Sequence, residues 1–333
     1  MPELASYVGP FALGTFSFAD TAPFPGLIVD GLVLDLSTLP APLGAPTTRA
    51  LLEDWDRALP ILRRLAARPD QGTWLPLARL RVHPPVEPRQ ILQAGANYRT
   101  HVIELTLVHR AADDSRTEAE ARTAAHAEVD RRAAEGEPYV FTGLPSSLTG
   151  PYDDLPLPDW TEQVDWELEL CAVIARPAYR VAPEEALDHI GAYTIANDIT
   201  ARDAVFRADL GPIGVDWRRG KNLPGFTPLG PYLVPADHIG VPDDLRVTLR
   251  LNGEVKQDES TKDMLFDVAR LVSYASQTTQ LLPGDLLLTG SPAGNGIHWG
   301  RLLRDGDVME STISGLGGQR TRCVAEQHRK DTP

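Results

Sequence analysis

Cysteine is nearly absent from the 333 residues: Cys171 and Cys323 are the only two. Two isolated thiols give neither a metal-type spacing nor a disulfide framework, and Cys171 lies in an apolar run where a buried free thiol is the simple reading. Positive charge is short as well. Lys and Arg number 32 against 46 Asp and Glu, for a formal net charge of −14 and a pI near 5.0. That balance argues against binding a nucleic-acid backbone, which needs a clustered basic footprint, and favours a small-molecule or protein partner. Long apolar runs are missing too. No stretch approaches the length that spans a bilayer, and the start, "MPELASYVGPFALGTF", has no basic segment leading into a long apolar one. The expectation is a cytoplasmic protein with no membrane partner. Internal repeats are not visible, and biased sequence is confined to one Ala-rich segment.

What is present suits a globular chain: 42% hydrophobic and 23% charged residues, enough to bury a sizeable core in one large domain or a small domain plus a main one. Residues 7–36 alternate short apolar runs with Gly and Pro, and Asp30–Gly31 between "LIV" and "LVLDL" marks a hairpin. Over 47–68, Leu51, Leu52, Trp55, Leu59, Leu62 and Leu65 recur at helical spacing. The Pro-rich "HPPVEPRQ" at 83–90 suggests a linker, dividing a small β-rich N-terminal domain, 1–85, from a main domain, 86–333. "ILQAG" then reads as a strand and "NYRTHVIEL" as the start of a helix. The Ala-rich charged stretch within 105–138 predicts an exposed helical insertion ending near Gly136. From 139 onward short strands dominate, including a hairpin at Asn252–Gly253, with one long helix over 266–280. Many strands and few helices indicate an α+β fold, predominantly β.

The stretch "VDWELELCAVI" carries two acids, Glu167 and Glu169, whose side chains point the same way if the segment is a strand. Buried without compensation, such a pair would cost several kcal/mol, and one would protonate. A hard divalent cation binding both removes that cost, and Asp198, after another apolar strand, offers a third carboxylate. As an all-carboxylate set it would suit Mg²⁺, Mn²⁺ or Ca²⁺ better than Zn²⁺. On this stretch alone, an edge strand with both glutamates facing solvent is the simpler reading of the pattern.

Residues 91–320 resemble the fumarylacetoacetate hydrolase family through stretches that occur in the family's order. "GANYRTHVIE" is similar to its Gly-x-Asn-Tyr-x-x-His-x-x-Glu motif, "VDWELELCAVI" to its Glu-x-Glu metal strand, and "ANDITARD" to its Asn-Asp-x-Ser-Ala-Arg-Asp motif. "GKNLPGFTPLGPYLV", "LNGEVKQDEST" and "LLPGDLLLTGSPAGNG" resemble its Gly-Lys…Pro-Leu-Gly-Pro, Asn-Gly hairpin and Pro-Gly-Asp…Thr-Gly-x-Pro-x-Gly segments. The resemblance implies a mixed β-roll as the C-terminal domain, a small β module before it, and a homodimer. It places Glu167, Glu169 and Asp198 on the family's ligands for Mg²⁺, Mn²⁺ or Ca²⁺.

The same resemblance implies that His101 and Glu104 form a catalytic dyad, with Glu104 orienting the imidazole. On spacing alone the pair is a surface i, i+3 contact. Lys221 is implied as a cation for the substrate carboxylate or a developing oxyanion, and is otherwise a solvated loop lysine. Arg202 either touches substrate or pairs with Asp203 or Asp198. Ser291 is a candidate for the substrate carboxylate, or part of a Gly–Pro turn, and Tyr98 of the first motif is a further substrate-binding candidate. Two departures stand out: Gly143, where many members carry lysine, and the length of the 105–138 insertion. The implied activity is metal-dependent hydrolysis of a carbon–carbon bond in a β-diketo or acylpyruvate-type acid. Decarboxylation, tautomerisation or hydro-lyase chemistry on a 2-oxo acid is the alternative, with a non-catalytic ligand-binding relative after that.

Overall fold

Two runs, Leu168–Ile174 and Ile190–Asn197, are buried along their whole length. Strands without in–out alternation belong in a sheet covered on both faces, and these two pair antiparallel at the heart of one. In the computed structural model, which describes residues 7–326 apart from 19–20, 70–71, 109 and 111–112, that sheet has six strands. Their order is Val234–Pro235, Ile190–Asn197, Leu168–Ile174, Leu286–Leu288, Ile91–Gly95 and Tyr139–Gly143. The strands Leu286–Leu288 and Ile91–Gly95 run parallel and the other neighbours antiparallel, so the sheet is mixed.

Parity along the central strand decides what each residue meets. Leu168, Leu170, Ala172 and Ile174 enter one core, shared with the helix Val268–Ser276 and with a second, five-stranded sheet. That sheet runs Glu254–Ser260, Arg246–Leu251, Val308–Ile313, Gly317–Ala325 and Leu155–Leu157. Cys171 and Val173 enter the other core, with Leu13 and Leu27 of the N-terminal sheet and Leu51, Leu52 and Trp55 of the helical segment. Glu167 and Glu169 share the odd parity. The charged site therefore continues a face that is apolar one turn of pleat further along.

The N-terminal sheet is wholly antiparallel, in the order Trp74–Pro76, Leu32–Asp35, Phe24–Val29, Ala12–Ser17 and Arg81–His83. Its hairpin turns at Asp30 (φ 47°) and Gly31 (φ 75°), and the second sheet turns at Asn252 (φ 52°) and Gly253 (φ 85°). Both pairs have the positive φ of the primed turn their sequence predicts. The last strand of this sheet ends at His83, just before the Pro-rich stretch.

Three expectations need adjusting. The helix over 47–68 breaks at Asp54 (φ −123°, ψ 36°) into Thr48–Glu53 and Trp55–Ala66. The apolar stripe survives the break, because Leu51, Leu52, Trp55, Ala58 and Leu62 all remain buried. The helix placed over 266–280 is shorter, Val268–Ser276, started by Asp267 accepting from the Arg270 N–H. Within the insertion, the helix Glu118–Glu135 opens with a reciprocal Thr117–Glu120 capping box. It is not wholly exposed: Ala121, Ala125 and Val129 bury a narrow stripe, too small-sided to register as amphipathic. The stripe brings the helix against Arg99–Val108, the helix that carries His101. Arg132 also donates to the Ala96 carbonyl at 2.8 Å. Gly136 ends the helix in extended rather than left-handed backbone (φ −88°, ψ 176°). Among the described residues no helix is long and apolar enough to cross a membrane.

Candidate active site

The three acids converge where the two central strands end. The Glu167 N–H donates to Asn197 Oδ1 at 2.9 Å and the Asp198 N–H to the Glu167 carbonyl at 2.8 Å, which locks the two strand ends together. Glu169 takes a 2.7 Å bond from the Gly290 N–H. Gly290 has φ +92°, and a Cβ there would stand 2.9 Å from Asn97 Cβ, so this close approach needs glycine. Gln93 Nε2 donates to Asp198 Oδ1 at 2.6 Å. All three acids are buried, and each offers a carboxylate oxygen within 4.8 Å of the others.

Two cations lie against this cluster. Lys221 Nζ bonds Glu167 Oε2 at 2.5 Å and also Asp198 Oδ2. Arg202 reaches Asp165 through Nε at 2.8 Å and Glu167 through Nη1 at 2.7 Å. Counted as ions, Glu167, Glu169, Asp198 and Asp165 carry four negative charges against the two positive charges of Lys221 and Arg202. Two negative charges remain, which one divalent cation would balance. The imbalance is visible residue by residue. Burial pushes Glu167 upward, but Lys221, Arg202 and His101 outweigh it and hold the carboxyl at about 2. Burial raises Asp198 to about 6, against the pull of Lys221 and with a push from Glu167. Glu169 is driven well above the carboxylate range by burial first and then by Asp198 and Glu167.

Glu167 and Glu169 open onto a cavity of about 660 Å³ whose lining also includes His101, Arg202, Lys221 and Ser291, with Asp198 buried behind them. The His101 ring is buried, and burial drops its pKa to about 3 despite the opposing charge of Glu167, so it is neutral at pH 7. Its Nδ1 lies 3.1 Å from Nε2 of His298, the two rings meeting edge to face. His298 Nδ1 in turn lies 3.7 Å from Glu104 Oε2. Among the described residues no ion pair joins Glu104 to His101. The expected dyad is thus interrupted, and His298 stands between its members.

Residues 90–324 match the model of the fumarylacetoacetate (FAA) hydrolase C-terminal family. The chain belongs to the fumarylacetoacetate hydrolase family. Over 290 residues it is 32% identical to the oxaloacetate tautomerase FAHD2A, mitochondrial, of Bos taurus, covering 86% of this chain and 82% of that one. Over 198 residues, 59% of this chain and 68% of the other, it is 40% identical to the 2,4-didehydro-3-deoxy-L-rhamnonate hydrolase of Sphingomonas sp. (strain SKA58). A solved fumarylacetoacetate hydrolase from the psychrophilic Exiguobacterium antarcticum is similar at TM-score 0.74 and 29% identity, covering 95% of this chain and 100% of that one. The α+β architecture with mixed sheets and a small N-terminal β module is that of the family.

Family membership and geometry together make Glu167, Glu169 and Asp198 a set that could hold a divalent metal. The fit is physical: all-oxygen donors, buried, with two unbalanced negative charges. Other expected residues fall differently. Arg202 pairs with Asp165 and Glu167, not with Asp203 or Asp198; Asp203 instead accepts from Thr161 Oγ1 at 2.7 Å. Lys221 is no solvated loop lysine but a buried cation on two of the acids. Ser291 lines the cavity, its hydroxyl accepting from Gln257 Nε2 at 3.0 Å and Asn295 Nδ2 at 3.1 Å. Tyr98 is fully buried and outside the cavity lining.

Sequence reasoning missed Gln93, Asp165 and His298. Gln93 carried a signal, a lone polar residue inside the apolar strand "ILQAG", and so did Asp165, two positions before Glu167 in the same alternation; His298 carried none. Gln93 also accounts for Gly143. The two residues lie on neighbouring strands, and a Cβ at 143 would stand 2.6 Å from Gln93 Oε1. A side chain at 143 would compete for the space from which Gln93 holds Asp198.

Proposed function

We propose that the chain hydrolyses a carbon–carbon bond in an acylpyruvate-type acid, with Mg²⁺ or Mn²⁺ held by Glu167, Glu169 and Asp198. The observation that carries this reading is His101. It is a neutral, buried imidazole with Nδ1 committed to His298 and, among the described residues, no hydrogen-bond partner on Nε2, on the wall of the cavity that Glu167 and Glu169 also line. A divalent ion bound there supplies a Lewis acid and a template for a 2-oxo carboxylate.

The protein groups divide the remaining work. His101 Nε2 takes a proton from water, and the hydroxide adds to the distal acyl carbonyl. The carbon–carbon bond between that carbonyl and the pyruvate unit then breaks, its electron pair remaining on the pyruvate fragment as an enolate. His101 returns its proton to that fragment. One water is consumed, and one carboxylic acid and one pyruvate form. His298, with Glu104 behind it, holds the imidazole in the tautomer that leaves Nε2 basic. Lys221 faces the developing negative charge without moving, since its two acids already hold it.

A second reading has one specific support: the 32% identity with a tautomerase over most of the chain. There His101 would move a proton between carbon and oxygen with no bond cleaved. Incubating acetylpyruvate and oxaloacetate with Mn²⁺, and again with EDTA, separates the two. Two acid products from acetylpyruvate, lost with EDTA, support hydrolysis. Keto–enol exchange of oxaloacetate with mass conserved and acetylpyruvate intact would overturn it. In either case His101→Ala is expected to lower kcat by about 10²–10⁴-fold.

A further inference from the structure

The cavity has two sides of opposite character. One is the charged floor described above. The other is built from Leu105, Phe141, Val205, Phe206, Trp217 and Ile297. Phe141 and Trp217 stack with centroids 4.9 Å apart and planes 18° from parallel. Trp217 Nε1 donates to the Tyr139 hydroxyl at 2.6 Å, so the indole's one polar atom is satisfied away from the ring faces.

The cations of the lining are Arg202 and Lys221, and both are committed: Arg202 to Asp165 and Glu167, Lys221 to Glu167 and Asp198. Lys221 is also held against the apolar side, its Nζ 5.5 Å from the Phe141 centroid and 5.8 Å from that of Trp217. A second carboxylate on the substrate would lie among these apolar groups, and among the described residues of the lining no cation is left to meet it. Asp203, also in the lining, would repel it. An unpartnered carboxylate in such surroundings is costly, whereas apolar area buried there is favourable. The volume, within the usual range for small-molecule sites, leaves room for a bulky group beyond a chelated 2-oxo acid.

We propose that the substrate carries a single carboxylate, at its 2-oxo end, and an uncharged aromatic tail seated against Phe141 and Trp217. The polar end rests on the function proposed above; the tail is assigned by the cavity wall. The test is calorimetric binding and turnover of benzoylpyruvate, acetylpyruvate and oxaloacetate by the Mn²⁺-loaded protein. Benzoylpyruvate is expected to bind roughly 10–200-fold more tightly than either of the others, the range that apolar pocket contacts discriminate. Trp217→Ala should bring the benzoylpyruvate-to-acetylpyruvate ratio toward one. Phe206→Arg, at a side chain 67% exposed and so tolerant of change, should supply the missing cation and raise oxaloacetate affinity several-fold or more. Oxaloacetate binding as tightly as benzoylpyruvate, or a ratio unmoved by Trp217→Ala, overturns the proposal. Selective benzoylpyruvate binding without cleavage supports the tail and overturns hydrolysis. No binding of any of the three with the metal in place overturns both.

Discussion

Asp307 and Glu169 are both buried carboxylates at strand ends, and the protein treats them in opposite ways. Asp307 meets a two-pronged Arg301, with Nη1–Oδ2 and Nη2–Oδ1 both at 2.7 Å. It also accepts from Asn252 Nδ2 at 2.9 Å and the Arg304 N–H at 2.7 Å. Burial would raise its pKa, but these donors outweigh burial and hold it below the ordinary carboxylate value. Among the described residues Glu169 has one hydrogen-bond donor, the Gly290 N–H, and two acids as neighbours, and its pKa is pushed the other way. A satisfied carboxylate pins a turn. An unsatisfied one, rigidly held, is a site prepared for a partner that the chain itself does not supply.

Glu169→Gln should break this contrast most visibly. Divalent-metal affinity, read by calorimetry, is expected to fall by more than about 100-fold, beyond what loss of a supporting residue costs. The same substitution should raise the melting temperature of the metal-free protein by a few degrees. The sign follows from linkage: a carboxyl raised on folding binds more protons in the native state, so it subtracts stability as pH rises, and the amide removes that cost.

Gln93→Leu comes next. It removes the amide that positions Asp198, and metal affinity should drop roughly 10–100-fold with the fold retained by circular dichroism. Asp307→Asn then tests the other side, destabilising the protein at neutral pH by about 1–3 kcal/mol in urea unfolding. Because the native pKa of Asp307 is depressed, its contribution is complete above the unfolded value and disappears as pH falls through the folded one. The variant should therefore show a flatter acid limb, with metal affinity unchanged. Smallest is Gly143→Ala, whose Cβ must displace Gln93; a several-fold loss of metal affinity, about 1 kcal/mol, is expected. An unchanged affinity would separate Gly143 from the metal site.

Some of this was legible in the order of residues alone. Period-2 spacing put Glu167 and Glu169 on one face, Asp–Gly and Asn–Gly named their hairpins, and ordered motifs named the family, because each depends on neighbours a few positions apart. The insertion helix was legible as a helix, but its packing was not, since Ala121, Ala125 and Val129 form too slight a stripe. Partnerships between distant segments were invisible. His101 and His298 are 197 residues apart, and Arg202 chose Asp165 over the acids adjacent to it in sequence. Gln93 reaches Asp198 because parallel pairing sets Gln93 beside Leu288 in the central sheet. The sequence by itself determined which acids could share a face and which family the chain joins. Only the tertiary structure decided that two cations would leave two negative charges unbalanced, that a second histidine would part His101 from Glu104, and that the cavity's far wall would be aromatic. Those outcomes follow from strand register and burial, which local pattern does not encode.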